Sequence, residues 1–222
     1  MMDVNIDLVI CVEATKAMLD IADDVKQKIK HLIEYIPEYS EEQALVIKKL
    51  RVKLILFRDY GCCPEAMIES GFVDIIEDKE KIFECIDNIE FKGGYGYCNA
   101  LEAIALALKS NWTTEGKFRH GIIVFSKSQV HSLGLKCGIS SYPVGMPTDL
   151  AQLGAWWEGT DQTLGSTYQP KSGSLVAFVP NAEPWTFMQA WNGYWSAFSP
   201  AGAGLDDVDI QSAIDLIFPN DL

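Results

Sequence analysis

Short stretches of this 222-residue chain place oxygen atoms where apolar runs end. After Ile6-Asp7-Leu8-Val9-Ile10-Cys11-Val12 come Glu13 and Thr15, an acid and a hydroxyl two residues apart. A second run ends in Phe57-Arg58-Asp59-Tyr60, and a later one in Val124-Phe125-Ser126-Lys127. Carboxylate and hydroxyl oxygens are the ligands of a hard cation such as magnesium. Plainer roles are also open: Glu13 as a helix cap, Asp59 as a hydrogen-bonding group at a strand end. The loop Phe91-Lys92-Gly93-Gly94-Tyr95-Gly96-Tyr97-Cys98-Asn99 leads into a helix. It lacks G-x-G-x-x-G spacing and does not follow the first strand, so Gly93-Gly94 reads as a tight turn and not as a dinucleotide loop. Cys98 at a helix start is a candidate thiolate nucleophile, with His120 or His131 as its base.

Alternating strands and helices must position these groups. Ile6 to Val12 is a near-continuous apolar run, as expected of a strand buried on both faces. A helix follows, with Met18, Ile21, Ala22, Val25, Ile29, Leu32, Ile33 and Ile36 on one stripe, Thr15 as its N-cap and Pro37 as its stop. Arg51 to Tyr60 reads as a strand and Gly71 to Ile76 as a short antiparallel edge. Asp78 caps a helix to Ile89, Asn99 to Ser110 forms another, and Gly121 to Phe125 is a buried strand. Pro147 opens a helix bearing Leu150, Leu153, Trp156 and Trp157. Ser174–Val179 is a strand, Pro184–Trp191 a short helix and Tyr194–Phe198 a short strand. A last helix starts near Asp206-Asp207 and buries Val208, Ile210, Ala213, Ile214 and Ile217. The predicted architecture is one α/β domain over residues 1–222, a doubly wound, mostly parallel sheet flanked by helices. Sites in such folds lie beyond the carboxyl ends of the strands, where strand order switches.

The formal charge is −13, from 31 acidic and 18 basic residues. That sign disfavours a non-specific nucleic-acid binder. From Gly138 to Leu222 nine acidic residues face a single basic one, Lys171, which points either to a self-repelling soluble surface or to a basic partner. No run of about 18 apolar residues occurs, so no membrane span is expected. The opening Met1-Met2-Asp3-Val4-Asn5 has no basic region, so no secretory signal is expected. Six cysteines without a CxxC pair, with three histidines, make a zinc site or disulfide framework improbable and suit a reducing compartment. Cys11 and Cys85 read as small core residues. The tryptophans at 156, 157, 185, 191 and 195 read as core packing or as a sticky aromatic patch.

Taken together, these motifs resemble the von Willebrand factor A domain family. Its first motif, Asp-x-Ser/Thr-x-Ser after strand one, is matched by Glu13-Ala14-Thr15-Lys16-Ala17. Phe57-Arg58-Asp59-Tyr60 resembles the Tyr-Arg-Asp-Tyr strand end of many bacterial members. Gly93-Gly94 through Asn99-Ala100-Leu101-Glu102-Ala103 resembles their Gly-rich segment before a helix. His131-Ser132-Leu133-Gly134, then Tyr142-Pro143 and Met146-Pro147 to Asp149-Leu150, resembles the segment after strand four. The resemblance covers about the whole chain.

The departures concern the metal-ion-dependent adhesion site that the resemblance implies. Glu13 replaces the first aspartate, Thr15 is kept, and Ala17 replaces the second hydroxyl. Tyr95-Gly96 stand where the loop would supply an oxygen, and Lys127 where the strand-four aspartate would be. A Mediator subunit's domain of this family has a similar glutamate and binds protein. The expectation is therefore a non-enzymatic, cytoplasmic protein-binding scaffold or adaptor with a decayed metal site and no cofactor, its binding edge formed by Glu13, Thr15, Asp59, Tyr95 and Lys127. The family implies partners such as an AAA-type ATPase or an operon-encoded protein. The alternatives are a magnesium-dependent binder through Glu13, Thr15 and Asp59, and a hydrolase using Cys98 with a histidine. The Lys127 ammonium is expected to take the cation's place between Glu13 and Asp59.

Overall fold

The structure, a computed structural model, describes residues 2–42, 45–199 and 210–217. In chain order the strands and helices are β1 (Met2–Glu13), α1 (Ala22–Glu42), β2 (Leu45–Phe57), β3 (Met67–Glu69), β4 (Val73–Asp74), α2 (Lys79–Asp87), β5 (Tyr97–Cys98), α3 (Ala100–Leu108), β6 (Phe118–Phe125), β7 (Gln129–Val130), α4 (Leu150–Trp157), β8 (Gly173–Pro180), α5 (Trp185–Met188), β9 (Tyr194–Ser199) and α6 (Ile210–Ile217). The main sheet runs β3-β2-β1-β6-β8-β9, with β4 also on β2. β2, β1, β6, β8 and β9 are parallel, and β3 and β4 pair antiparallel to β2. This is the mostly parallel, helix-flanked sheet expected from the sequence.

The period-two alternation of β1 divides the core. Ile6, Leu8, Ile10 and Val12 pack with α1, α2 and α6, whereas Val9 and Cys11 pack on the opposite face with α3, α4 and α5. Trp156, Trp157, Trp185 and Trp191 are buried in that second layer, and Trp195 packs partly buried against the first. The tryptophans are core. Cys11 is buried and Cys85 packs partly buried on the first layer.

Several boundaries differ from expectation. Pro37 lies inside α1, which continues to Glu42. Proline removes one backbone donor, but Tyr39 and Ser40 are buried beyond it, and tertiary packing carries the last turn across. The chain enters that helix through a 3₁₀ segment, Lys16–Ile21, capped by Thr15 as expected. β2 begins at Leu45, six positions before Arg51, and ends at Phe57, because Met2 to Ile6 of β1 offer its first residues a parallel ladder. The expected start of the last helix at 206–207, with Val208, lies outside the described residues; Ala213, Ile214 and Ile217 are buried as expected.

Parallel register brings the strand ends together. Glu13 pairs with Phe57, Val12 with Phe125, and Phe125 with Phe178. Strand order reverses direction at β1 and β6, so the residues after Val12 and after Phe125 leave the sheet side by side. No helix among the described residues is long and apolar enough to cross a membrane.

Candidate functional site

Glu13, the last residue of β1, is fully buried. A buried carboxylate must find partners or lose its charge. Here the chain leaving β6 supplies them. Oε2 of Glu13 accepts from the Ser126 hydroxyl (2.9 Å) and from the backbone N–H groups of Lys127 (2.8 Å) and Ser128 (2.9 Å). Oε1 accepts from the hydroxyls of Thr15 and Ser128. Five donors thus meet a group with about four lone-pair sites. The Thr15 oxygen also accepts from the N–H of Ala17 (3.2 Å), joining the carboxylate to the start of the next helix.

Lys127 corrects one expectation. Its ammonium does not lie between Glu13 and Asp59 but pairs with Asp20 Oδ2 at 2.5 Å. The reason is local: neutral donors already saturate Glu13, and the flexible stem carries the charge outward to a carboxylate near solvent. The hydrogen bond from Lys127 holds the Asp20 carboxyl below its usual range. What Lys127 gives Glu13 is its backbone N–H.

Asp59 has separate partners. Oδ1 accepts from the Gly61 N–H (2.7 Å), and Oδ2 from the Cys62 thiol (3.5 Å). His131 Nε2 stands 3.2 Å from Oδ1. Burial raises the Asp59 pKa, but the Gly61 N–H and His131 outweigh it, and the net shift is downward. The His131 ring stacks on Tyr97, with centroids 4.8 Å apart. Parallel pairing of β5 with β7 makes that contact by joining the glycine-rich loop to the segment after β6. Tyr95 is 70% exposed on this rim, with the Lys16 ammonium 5.8 Å from its ring centroid. The structure therefore gathers Glu13, Thr15 and the Lys127 backbone into one cluster, and sets Asp59 and Tyr95 beside it in clusters of their own.

Arg58, also buried, ties three segments together. Nε donates to the carbonyl of Ala14 (3.0 Å), Nη1 to Glu65 (3.0 Å) and Nη2 to Glu90 (2.7 Å). Gly93 adopts φ 94°, and a Cβ there would meet Cys63 Sγ at 2.6 Å. The glycine pair carries a bend of the chain packed on Cys62-Cys63. Farther along, buried Glu102 holds the 132–142 loop, accepting from Tyr142 Oη (3.0 Å) and the Gly134 N–H (3.4 Å).

Cys98 is not paired with a histidine base. Burial pushes its thiol well up, and Sγ faces the Ser126 hydroxyl at 3.6 Å. The His131 ring turns to Asp59. His120 lies toward the opposite end of the sheet, beside Asp7 in register, with Nε2 on the Thr113 carbonyl at 2.8 Å. The residues that the sequence reading missed are Ser126 and Ser128. Their signal was present: a hydroxyl-x-hydroxyl spacing directly after an apolar run, the mirror of Glu13-x-Thr15.

The family model described as Mediator complex subunit 25 von Willebrand factor type A matches residues 2–132. No curated protein matches the chain. Among solved structures it is similar to the pilus adhesin SpaC of Lactobacillus rhamnosus GG (TM-score 0.57, 13% identity, covering 96% of this chain and 31% of that one). It is also similar to a von Willebrand factor type A protein of Catenulispora acidiphila (0.53, 11%, 96% and 42%) and to proximal thread matrix protein 1 of the mussel byssus (0.53, 13%, 96% and 48%). The chain spans under half of each of these proteins, and at such identities the likeness shows the fold. The family match spans more than half of the chain and includes β1, β2, the glycine-rich loop and the segment after β6, so this protein belongs to the Mediator subunit 25 type of von Willebrand factor A domain.

Proposed function

We propose that this domain is a non-enzymatic, cytoplasmic protein-binding module that works without a metal ion. The observation that carries the reading is the engagement of Glu13 by five donors. A magnesium ion needs oxygen lone pairs in near-octahedral array. Here the lone pairs of both Glu13 oxygens are already taken by the hydroxyls of Thr15, Ser126 and Ser128 and the N–H groups of Lys127 and Ser128, and Asp59 faces the Gly61 N–H and His131. That donor set does not fit a hard divalent cation.

Protein binding is supported by the family, by the adhesin among the similar structures, and by the exposed rim beside Glu13. There Leu19, Tyr95 and Tyr97 present large apolar surface to solvent. Exposed aromatic residues of this kind are enriched at interfaces. Six cysteines, all with free thiols, suit a reducing compartment. An AAA-type ATPase or a protein encoded nearby in the genome is the partner class we put first.

Affinity capture with the full chain, in excess EDTA and in millimolar magnesium, tests the reading. The same partner should be retained in both, and Tyr95→Ser with Tyr97→Ser should release it. Capture that requires magnesium would refute metal-free binding.

A further inference from the structure

A groove of about 460 Å³ lies between the segment after β7, the start of α4 and the start of α5. That volume is within the range of about 300–1,000 Å³ that holds ligand groups or anchor side chains. Leu101, Leu133 and Leu150 supply its apolar surface. Phe187 forms a lip and is 58% exposed, a large apolar area left in water. The groove's acidic side chains are Asp149 and Glu183; no lysine or arginine lines it.

Among the described residues Asp149 and Glu183 form no ion pair. Asp149 Oδ1 caps α4 by accepting from the Gln152 N–H (2.8 Å). His131, already placed against Asp59, sits at the end of the groove nearest the candidate site, so the two surfaces are continuous.

We propose that this groove docks a linear segment of a protein partner that carries lysine or arginine beside an aliphatic or aromatic side chain. The apolar side chain fills the space between Leu101, Leu133, Leu150 and Phe187. The cation lies at the rim against Asp149 and Glu183, where water still reaches both charges. Such rim pairs set specificity and encounter rate more than affinity. The proposal rests on the protein-binding reading above and names the partner chemistry for one surface.

The test is to pan a library of short random peptides on the immobilised full chain. Enrichment of lysine or arginine next to Leu, Ile, Phe or Trp is expected. Binding of selected peptides, read by fluorescence anisotropy, should fall about tenfold, the scale of one anchor side chain, with Phe187→Ser and with Glu183→Lys. It should weaken as salt rises. Panning on Glu183→Lys should shift the selected charge toward acidic peptides. Both residues are exposed, and melting curves that match the wild type confirm folding; the composition selected on the wild type does not depend on either variant. Acidic or uncharged selected peptides would overturn the proposed chemistry. Basic peptides that bind both variants as well as wild type would overturn the groove while sparing the protein-binding reading. Failure to enrich any peptide would overturn docking of a linear segment, and partner capture in EDTA shows separately whether the protein-binding reading stands.

Discussion

Ser128 donates to both oxygens of Glu13, its hydroxyl to Oε1 and its backbone N–H to Oε2. The side chain ending one strand thus holds both ends of a residue that follows its neighbour, and the sheet edge closes around a carboxylate. Each buried donor left unpaired costs about 1–3 kcal/mol, so Glu13→Ala should lose roughly 3 kcal/mol or more in urea unfolding. Glu13→Gln keeps the shape but turns an amide NH₂ toward donors, and should fall between. A loss under about 1 kcal/mol for Glu13→Ala, the range of an ordinary surface change, would show that this network does not hold the edge.

The Lys127–Asp20 pair is half in solvent, and such pairs contribute about 1 kcal/mol or less. Lys127→Met and Asp20→Asn should cost similar small amounts, with the double variant no worse than either. The loss should shrink in high salt. Glu13→Gln should not relieve it. If Glu13→Gln rescues Lys127→Met, the ammonium serves Glu13 after all.

Burial raises the pKa of Glu102 above its ordinary 4.5. The folded state then binds the proton more tightly than the unfolded chain. Stability from this group is fully present below 4.5 and declines as pH rises through the folded value. Glu102→Gln should remove that decline, keep an acceptor for Tyr142, and melt at or above the wild type at pH 7. Thermal scans from pH 4 to 7 check this, and a Glu102→Gln profile parallel to wild type would contradict it.

Iodoacetamide at neutral pH should label exposed Cys62 and Cys137 and leave Cys98 untouched in the folded protein. The Cys98 thiol is buried and its pKa is pushed up, so thiolate is scarce. Mass mapping of the alkylated sites decides the point, and rapid labelling of Cys98 would reopen the nucleophile reading.

Much of the sheet was legible because its signals are local. Ile6 to Val12 and Gly121 to Phe125 are apolar runs that only a strand covered on both faces explains, and Asp78 and Thr15 cap where helix-start chemistry says they should. Pro37 misled because its local penalty is offset by packing of Tyr39 and Ser40, which no local pattern displays. β5 and β7 escaped notice because two-residue strands leave no period to read. At the site, strand-end logic brought Glu13 and Lys127 to one edge. It does not say where a four-carbon stem points, and the Lys127 ammonium, expected between Glu13 and Asp59, reaches Asp20 instead. Ser126 and Ser128 matter only through register with β1, a relation between segments more than a hundred residues apart.

Arg58 joins the loop after β1, the turn after β2 and the approach to the glycine-rich loop through three carbonyls. A lysine has no planar fork and would satisfy these acceptors poorly. The shared guanidinium predicts that the three loops open together, as one cooperative unit, so an amide in any of them should exchange with solvent at a rate set by the opening of all three.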